Sequence, residues 1–492
     1  MAFWNRTKPI DTATQFEEHH QLKKTLSWPH LIALGVGAIV GTGIYTLTGL
    51  AAGLAGPGMI WSFVICGVLC AAAALCYAEM ATMVPAAGSA YTFSYTALGE
   101  LLAWIVGWAL VLEYAVGASA VAVGWSNHAQ EFVTWAHQSG WIGFDLPKNL
   151  THGMDLKGMI TGKAVFDPSQ ALLNVPAAFI VLVVTGLLAL GTRESATVNF
   201  ILVLVKLAAL VMFVVIALPH FNAVNLHPAA PFGWGATQHA DGKNYGVLGA
   251  AGLVFFAFYG FDAVSTAAEE TKNPKRDMTL GIVGSMILCT AIYVAVAACA
   301  LGAMYYTGWA NNGAPLVVVL KFLNQPEAAQ WLTAAVMVAI PTVILVLLYG
   351  QSRIFFAMAR DGLLPQAVAR VNPKTKTPVL MTLIVGSVVA LVAGLFKLDD
   401  IAEMANAGTL LAFIGVALSV IVLRLRQPNR ERIFKTPLWW LVAPFCVLGC
   451  AYLFGVGLTH DTKVLCLGWG VIGLVIYFLY GMHKSNLARA GA

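Results

Sequence analysis

The feature that most constrains this chain is a series of twelve apolar runs, each long enough for a helix to cross the bilayer core, which takes about 20 residues. Only 10% of the 492 residues are charged, whereas a soluble domain has about 25%. The sequence therefore predicts an all-α membrane protein. The runs, numbered here as spans 1 to 12, are residues 30–55, 58–84, 98–126, 171–191, 197–219, 247–270, 279–304, 329–357, 377–396, 405–425, 437–458 and 463–482.

The distribution of Lys and Arg predicts the orientation of these spans. Of the 28 basic residues, 20 lie in segments that face the cytoplasm if both termini do, seven lie in the opposite loops, and Lys206 lies inside span 5. Positive residues accumulate on the cytoplasmic side, so we expect both termini there. The polar first 29 residues predict no cleavable signal peptide. The net charge of +5 is scattered over loops, so no nucleic-acid-binding face is predicted.

Two spans contain stretches that are expected to interrupt a regular helix. Span 1 is rich in glycine between Gly35 and Gly43, and span 6 breaks around Phe256–Asp262. Unwound backbone at membrane depth is tolerated only where protein, a cavity or a ligand satisfies its polar groups. Span 1 enters from the cytoplasm and span 6 from outside, which predicts two inverted repeats. The predicted organisation is residues 1–29 cytoplasmic, 30–219 and 247–425 the repeats, 437–482 two peripheral helices and 483–492 a cytoplasmic tail.

The two interruptions offer complementary backbone groups. Amides around Gly41, Thr42 and Gly43 head a half-helix and suit a carboxylate. Freed carbonyls around Ala257, Phe258 and Gly260 suit an ammonium, so the pair favours an α-amino acid. Gly37-xxx-Gly41 is also typical of close helix packing in membranes. Packing glycines need no second break, however, and the second break favours transport.

Ionisable residues inside spans need a physical reason, because a charge at bilayer depth costs at least about 2.5–3.5 kcal/mol. Lys206 either faces the interior and exchanges a proton, or extends toward the cytoplasm as a structural lysine. Glu113 in span 3 is a candidate for the substrate's positive group, a proton relay or a structural hydrogen bond. Asp262 is expected to accept the backbone amides after the span 6 break. Glu79 is interpreted as a packing or gate carboxylate.

Other chemistries find little support in the sequence. All eight cysteines lie within apolar runs and are interpreted as packing residues, so neither a disulfide nor a metal site is predicted. Nearly all eleven histidines are in loops and tails, and no catalytic grouping lies at membrane depth, which argues against an enzyme. A Pro-bounded stretch around residues 315–327 predicts a re-entrant or surface helix before span 8.

Four ordered blocks resemble amino acid permeases of the amino acid–polyamine–organocation superfamily, and the last two blocks look most like bacterial members of its cationic amino acid transporter branch. The blocks are Gly35–Tyr45, Pro85–Tyr91, Gly260–Asp262 with Glu269–Pro274, and Gly350–Arg353 with Arg360–Pro365. The resemblance covers roughly residues 25–480.

This resemblance implies a LeuT-type fold of two inverted five-helix repeats plus two peripheral helices, in a bacterial cytoplasmic membrane. It implies that Phe258 gates the site and that Lys206 carries a coupling proton where sodium-coupled relatives hold an ion. No cofactor and no sodium are expected. The implied substrate-binding residues are Ile39, Gly41, Thr42, Gly43, Ala257, Phe258, Gly260, Phe261 and Leu347.

The sequence therefore predicts proton-coupled uptake of L-amino acids. Span 8 presents an apolar stretch, Ile344–Leu348, which favours small neutral substrates such as alanine over a guanidinium without a partner. A cationic amino acid transporter or exchanger is the alternative if Glu113 reaches the pocket. An amino acid sensor or channel is the alternative of another class. The expected partners are the amino acid and the lipid bilayer, with the protein either a monomer or bound to a small membrane subunit.

Overall fold

The computed structural model describes residues 6–13, 22–141, 143–144, 146–154, 172–239, 244–396, 398–458 and 460–490. These residues are mostly helical. The α-helices are α1 Ile10–Ala13, α2 Trp28–Ile39, α3 Thr48–Ala55, α4 Met59–Met83, α5 Ala90–Ala97, α6 Glu100–Val111, α7 Gly117–Gln138, α8 Val175–Leu190, α9 Thr192–Ala217, α10 Val247–Val254, α11 Ala263–Thr266, α12 Pro274–Ala303, α13 Pro315–Phe322, α14 Pro326–Ala339, α15 Pro341–Arg360, α16 Val379–Leu395, α17 Leu398–Arg426, α18 Trp439–Gly457, α19 His460–Ile476, α20 Met482–Lys484 and α21 Asn486–Ala490.

Shorter elements complete the description. Two strands, β1 Thr237–Gln238 and β2 Asn244–Tyr245, form an antiparallel pair in which Thr237 faces Tyr245. The π-helical segments are Gly43–Leu47, Leu112–Val116 and Tyr477–Gly481. The 3-10 turns are Gly56–Gly58, Lys148–Leu150, Leu218–His220, Ala223–Leu226, Phe255–Phe258, Ala268–Glu270, Tyr306–Gly308 and Gln366–Ala369.

The helices are long and apolar enough for a multi-pass membrane protein. Within the described ranges, nine helical stretches of at least 18 residues qualify as candidate spans, and two shorter apolar helices, α8 and α16, correspond to predicted spans 4 and 9. One of the nine, Trp28–Met83, runs through both predicted spans 1 and 2. The count of twelve spans therefore stays a prediction.

Backbone geometry departs from a regular helix at both predicted interruptions. Helix α2 ends at Ile39, Val40 is extended (φ −77°, ψ 99°), and the chain resumes as the π-helical segment Gly43–Leu47. After α10 the chain forms a 3-10 turn over Phe255–Phe258, and Tyr259 is extended. Gly260 then has φ +100°, a conformation that L side chains rarely adopt. These local geometries leave backbone groups outside the regular hydrogen-bond pattern of a helix.

Two further irregularities lie in spans that the sequence analysis treated as regular. The π-helical segment Leu112–Val116 interrupts span 3 between α6 and α7. Span 8 is divided at Ile340 into α14 and α15, because Pro341 cannot donate a backbone hydrogen bond and its ring crowds the preceding turn. The predicted helix before span 8 corresponds to α13.

The outer faces of the bundle are apolar. Large side chains such as Leu190, Val215, Leu448 and Leu479 are more than half exposed. A soluble monomer rarely exposes apolar surface on this scale. A surface of this kind suits lipid, in which apolar side chains need no water-facing cover.

Buried and partly buried ion pairs connect the helix ends on the side where α2 begins. Arg353 pairs with Glu270, Arg360 with Glu269, Arg424 with Glu79, Arg6 with Glu100, and Lys8 with Asp361. We name these ten residues the basal ion-pair cluster. Glu79 also accepts the amide of Thr436 at 2.8 Å, so its carboxylate links α4 to the chain around α17 and α18. The chain beside α2 joins this end, because the Thr25 and Leu26 amides donate to the Glu270 carbonyl.

Breaking a buried pair of this cluster should destabilise the protein strongly. The side chains of Arg353 and Glu270 are 3% and 0% exposed, with Arg353 Nε 2.7 Å from Glu270 Oε2. Replacing Arg353 by Met leaves a buried carboxylate without its guanidinium, which costs about 3–5 kcal/mol. We expect Arg353→Met to lower the unfolding temperature of the purified protein in detergent.

The matched control is Arg430→Met, which breaks the exposed pair of Arg430 and Asp11, 29% and 78% exposed. An exposed pair contributes about 0–1 kcal/mol, so this variant should unfold near the wild-type temperature. Equal shifts for both variants would contradict the role assigned to the buried pair.

Candidate functional site

The two interrupted segments lie directly against each other. A Cβ atom built on Gly43 would lie 2.5 Å from the Cα atom of Ala257, and one built on Gly260 would lie 2.8 Å from Cβ of Ala38. Real Cβ atoms do not approach other atoms this closely. Glycine at positions 43 and 260 therefore allows the backbones of spans 1 and 6 to meet at the same depth in the bundle.

The start of the π-helical segment presents backbone amides at this meeting point. The amides of Ile44 and Tyr45 both donate to the Gly41 carbonyl, at 3.3 and 3.4 Å. The first amides of a helical segment lack acceptors within it, which makes such a terminus an anion site. Thr42 is almost completely buried here. The structure thus places Gly43 directly against the span 6 turn, with Gly41 and Thr42 immediately before it in the chain.

The backbone carbonyls of two predicted substrate-binding residues already have hydrogen-bond donors. The Ile39 carbonyl accepts the Tyr293 hydroxyl at 2.6 Å, and the Gly260 carbonyl accepts the Ala263 amide at 3.1 Å. The carbonyls of Ala257 and Phe258, next to Gly43, are the stronger candidates for a ligand. Phe261 is fully buried beside them.

Lys206 is buried in the centre of the bundle and not at its lipid-facing surface. Its ammonium donates to the carbonyl of Gly37 at 2.8 Å, the carbonyl of Val40 at 2.6 Å and Oγ1 of Thr342 at 2.9 Å. A lysine ammonium has three donors, and all three are used. The structural alternative, a stem that extends to the cytoplasmic face, does not describe this geometry. Lys206 instead joins spans 1, 5 and 8.

Aromatic and aliphatic side chains surround the junction. Phe258 is fully buried, with its ring centroid 5.2 Å from Tyr293 and 6.1 Å from Phe63. Val343 on α15 faces the other break, since a Cβ built on Gly41 would lie 2.6 Å from its Cγ2. Leu347 lies one turn further along the same face of α15. The walls around the two breaks are therefore apolar, as expected from span 8.

Glu113 and Asp262 belong to a second cluster of buried polar side chains, on spans 3 and 6. The Tyr114 hydroxyl donates to Oδ2 of Asp262 at 2.5 Å, and the Glu113 and Asp262 carboxyls are close enough to interact electrostatically. The Asp262 side chain was expected to accept backbone amides after the break, but it makes no capping hydrogen bond to α11. Both Glu113 oxygens and Oδ1 of Asp262 lack a hydrogen-bonding partner among the described residues.

Four side chains of this site were missed by the sequence analysis: Tyr114, Tyr293, Thr342 and Val343. The signal for Thr342 was a polar residue directly after a mid-span proline. Tyr114 and Tyr293 carried the weaker signal of a hydroxyl within an apolar run. Val343 carried none, because an aliphatic residue within a span is identical in type to its lipid-facing neighbours. Among the described residues, no group of three or more His, Cys, Asp or Glu is placed to hold a metal ion.

Known proteins are similar to this chain in sequence and in architecture. The chain matches the family model described as amino acid permease over residues 26–480. It is 44% identical over 467 residues to the branched-chain amino acid permease BcaP of Bacillus subtilis (strain 168), covering 95% of both chains. It is 39% identical over 485 residues to the methylthioribose transporter of the same organism, covering 98% of this chain and 99% of that one.

More distant relatives extend the comparison. The chain is 36% identical over 431 residues to the vacuolar cationic amino acid transporter 2 of Arabidopsis thaliana, covering 87% of this chain and 64% of that one. The crystal structure of MhsT in complex with L-phenylalanine, a LeuT-type fold, matches with a TM-score of 0.58 at 16% identity, covering 88% of this chain and 99% of MhsT. From this family match and these relatives, we conclude that the chain is a multi-pass membrane transporter and belongs to the amino acid permease family of the amino acid–polyamine–organocation superfamily.

Proposed function

We propose that this protein takes up neutral L-amino acids by proton symport across a bacterial cytoplasmic membrane, with both termini in the cytoplasm. The observation that supports this most is the Lys206 ammonium, which holds the Gly37 and Val40 carbonyls at the span 1 break. A titratable group bound directly to the interrupted backbone connects protonation to the shape of the substrate site.

Substrate binding uses the two breaks together. The amides of Gly41, Thr42 and Gly43 take the carboxylate, and the carbonyls of Ala257 and Phe258 take the ammonium. Both kinds of backbone group lie within a few ångströms of each other because Gly43 lies against Ala257. An α-amino acid satisfies both sets at once, which offsets the cost of leaving them outside a helix.

Protonation of Lys206 controls this arrangement. The charged ammonium donates to the carbonyls of Gly37 and Val40 and stabilises the substrate-competent break. After the proton leaves toward the cytoplasm, the neutral amine donates fewer and weaker hydrogen bonds, so the break relaxes and the substrate is released. Release also requires the basal ion-pair cluster to separate, since it closes the end of the bundle at which the predicted cytoplasmic termini lie.

Glu113 fits a proton relay better than a contact with the substrate. Its carboxyl faces Asp262 in a buried environment, and two carboxylates side by side in such a site repel when both are ionised. A shared proton removes that repulsion, and the Tyr114 hydroxyl adds a further donor to Asp262. With Glu113 engaged in this group, no acidic side chain is assigned to a substrate guanidinium or second ammonium.

Two classes of substrate are candidates, and they differ in the volume of the side chain that the site must hold. The apolar walls and the close approach of the breaks favour small neutral amino acids such as alanine. The relative BcaP, by its name a branched-chain amino acid permease, supports branched aliphatic side chains as the second candidate. The relative named methylthioribose transporter shows that overall similarity does not fix the ligand.

The carboxylate site predicts a strong effect at Gly43. The Gly43→Val side chain would collide with Ala257 and occupy the approach to the amides, so binding of L-alanine to the purified protein should be lost. The matched control is Gly186→Val on α8, where an added Cβ has open space. Both variants should insert and purify similarly. Near-normal alanine affinity in Gly43→Val would show that the carboxylate does not bind there.

The apolar walls predict the order of competitors. In proteoliposomes, unlabelled alanine, serine and glycine should displace labelled alanine best, and arginine and lysine only weakly. A carboxylate-free sugar such as methylthioribose should not compete. Stronger displacement by leucine than by alanine would favour the branched-chain candidate, whereas stronger displacement by arginine would refute neutral selectivity. Glu113→Gln tests the latter case, since it should leave the competitor order unchanged if Glu113 does not contact substrate.

The position of Lys206 predicts that the coupling ion is a proton. Uptake should rise as external pH falls, proceed without sodium and collapse with a protonophore, because inward proton movement gains about 2.3 kcal/mol per charge for each 100 mV. Lys206→Met removes the titrating group at similar length, so gradient-driven accumulation in proteoliposomes should disappear. Accumulation by Lys206→Met that still scales with ΔpH would make Lys206 a structural residue. Binding without any accumulation by the wild type would instead favour a sensor.

A further inference from the structure

A cavity of about 330 Å³ lies beside the segment that follows the span 1 break. Its walls come from α7, the chain before α13, and helices α13 and α14. Tyr45, two residues beyond Gly43, contributes the wall nearest the break. The cavity is thus on the opposite side of the break from the basal ion-pair cluster. Its volume is within the range of about 300–1,000 Å³ of small-molecule sites in proteins.

The lining combines an apolar wall with one permanent charge. Leu316, Leu332 and Val336 supply apolar surface, and Lys321 supplies an ammonium. Among the residues that the structure describes, none that lines the cavity is acidic. Lys321 lies in the last turn of α13 and is exposed. A lysine ammonium on a flexible stem is a point charge that can follow a mobile carboxylate.

The cavity is also connected to the break through Tyr45. The Tyr45 hydroxyl donates to the backbone carbonyl of Lys206 at 3.1 Å. The Lys206 side chain in turn holds the Val40 carbonyl. A ligand in the cavity therefore contacts a side chain that is hydrogen-bonded to the backbone of Lys206, within two residues of Gly43 in the chain.

We propose that this cavity is an outer antechamber that captures amino acids with neutral side chains before they reach the break. The substrate carboxylate binds the Lys321 ammonium and an aliphatic side chain lies on the α13–α14 wall. A cationic side chain finds no acidic partner among the described lining residues and is repelled by Lys321, so the antechamber selects against arginine and lysine. This inference rests on the proposed amino acid carrier and assigns part of its selectivity to a site outside the breaks.

Direct occupancy is tested by thiol protection. Thr333 lines the cavity, and all eight native cysteines are buried, so Thr333→Cys provides a site for a membrane-impermeant thiol reagent against a low background. L-Leucine should slow labelling of Thr333→Cys in proteoliposomes. Isoamylamine, which keeps the side chain and amine but lacks the carboxylate, should not. Adding Lys321→Gln should remove the protection by leucine, and Lys321→Arg should retain it.

The matched control is Lys463→Gln in the Thr333→Cys background. Lys463 is on the same predicted side, carries the same charge and lies outside the cavity, where it donates to the Gly455 carbonyl. Protection by leucine should persist in this variant. Absence of protection by leucine in Thr333→Cys itself, or protection that survives Lys321→Gln, would overturn the antechamber.

Transport measurements separate this proposal from the proposed function. Lys321→Gln should raise the KM for neutral amino acids about three- to tenfold and narrow the gap between leucine and arginine as competitors, while the final accumulation ratio at a given ΔpH stays at the wild-type value. High salt should raise the wild-type KM but not that of Lys321→Gln. Unchanged KM and salt dependence would overturn the antechamber even with transport intact. Protection at Thr333→Cys without any accumulation would refute the symporter and leave the antechamber standing.

Discussion

The arrangement of this molecule depends on satisfying unwound backbone inside a membrane, where water is absent. Span 1 ends its helical geometry at Ile39, and its last carbonyls would be costly if left without donors. Lys206 and Tyr293 reach them from α9 and α12, so the break is maintained by side chains of two other spans. One of these donors can lose its proton. The same contact that makes the irregular backbone stable therefore makes its stability depend on protonation.

The second requirement is close contact between the two breaks, and glycine makes this contact possible. At Gly43 and Gly260 any side chain would overlap Ala257 or Ala38, and Gly260 also needs its positive φ. Span 8 adapts in a different way: its helix is divided just before Pro341, and the adjacent Thr342 contacts Lys206. The π-helical segments at Gly43–Leu47 and Leu112–Val116 carry Tyr45, Glu113 and Tyr114, in keeping with the frequent occurrence of π-helical turns at functional sites.

The sequence could predict the parts of this site that break a rule of membrane helices. The glycine-rich stretch of span 1, the break around Gly260 in span 6 and the lysine in span 5 each conflict with an uninterrupted apolar helix, and in the structure span 1 contacts both of the others. The sequence could not show which side chains of other spans pack around the two breaks. Val343 and Phe63 look like any apolar residue, because burial against a partner helix and exposure to lipid select the same side chains. The pairing of Glu113 with Asp262 also needed the fold, since 149 positions of chain separate the two carboxyls.

The position of Lys206 also gives a physical reason for the neutral substrate that we propose. The protonated amine places one positive charge beside the backbone of the span 1 break, and a zwitterion adds none. A substrate with a cationic side chain would put a second positive charge into a region that excludes water, where like charges repel much more strongly than in solution. A transporter that accepts such substrates needs an additional carboxylate near the side chain. Of the buried carboxyls near the breaks, Glu113 and Asp262 interact electrostatically with each other, and Asp262 also accepts the Tyr114 hydroxyl. The proposed coupling through a resident lysine and the proposed selection of neutral amino acids would then be two consequences of the same charge.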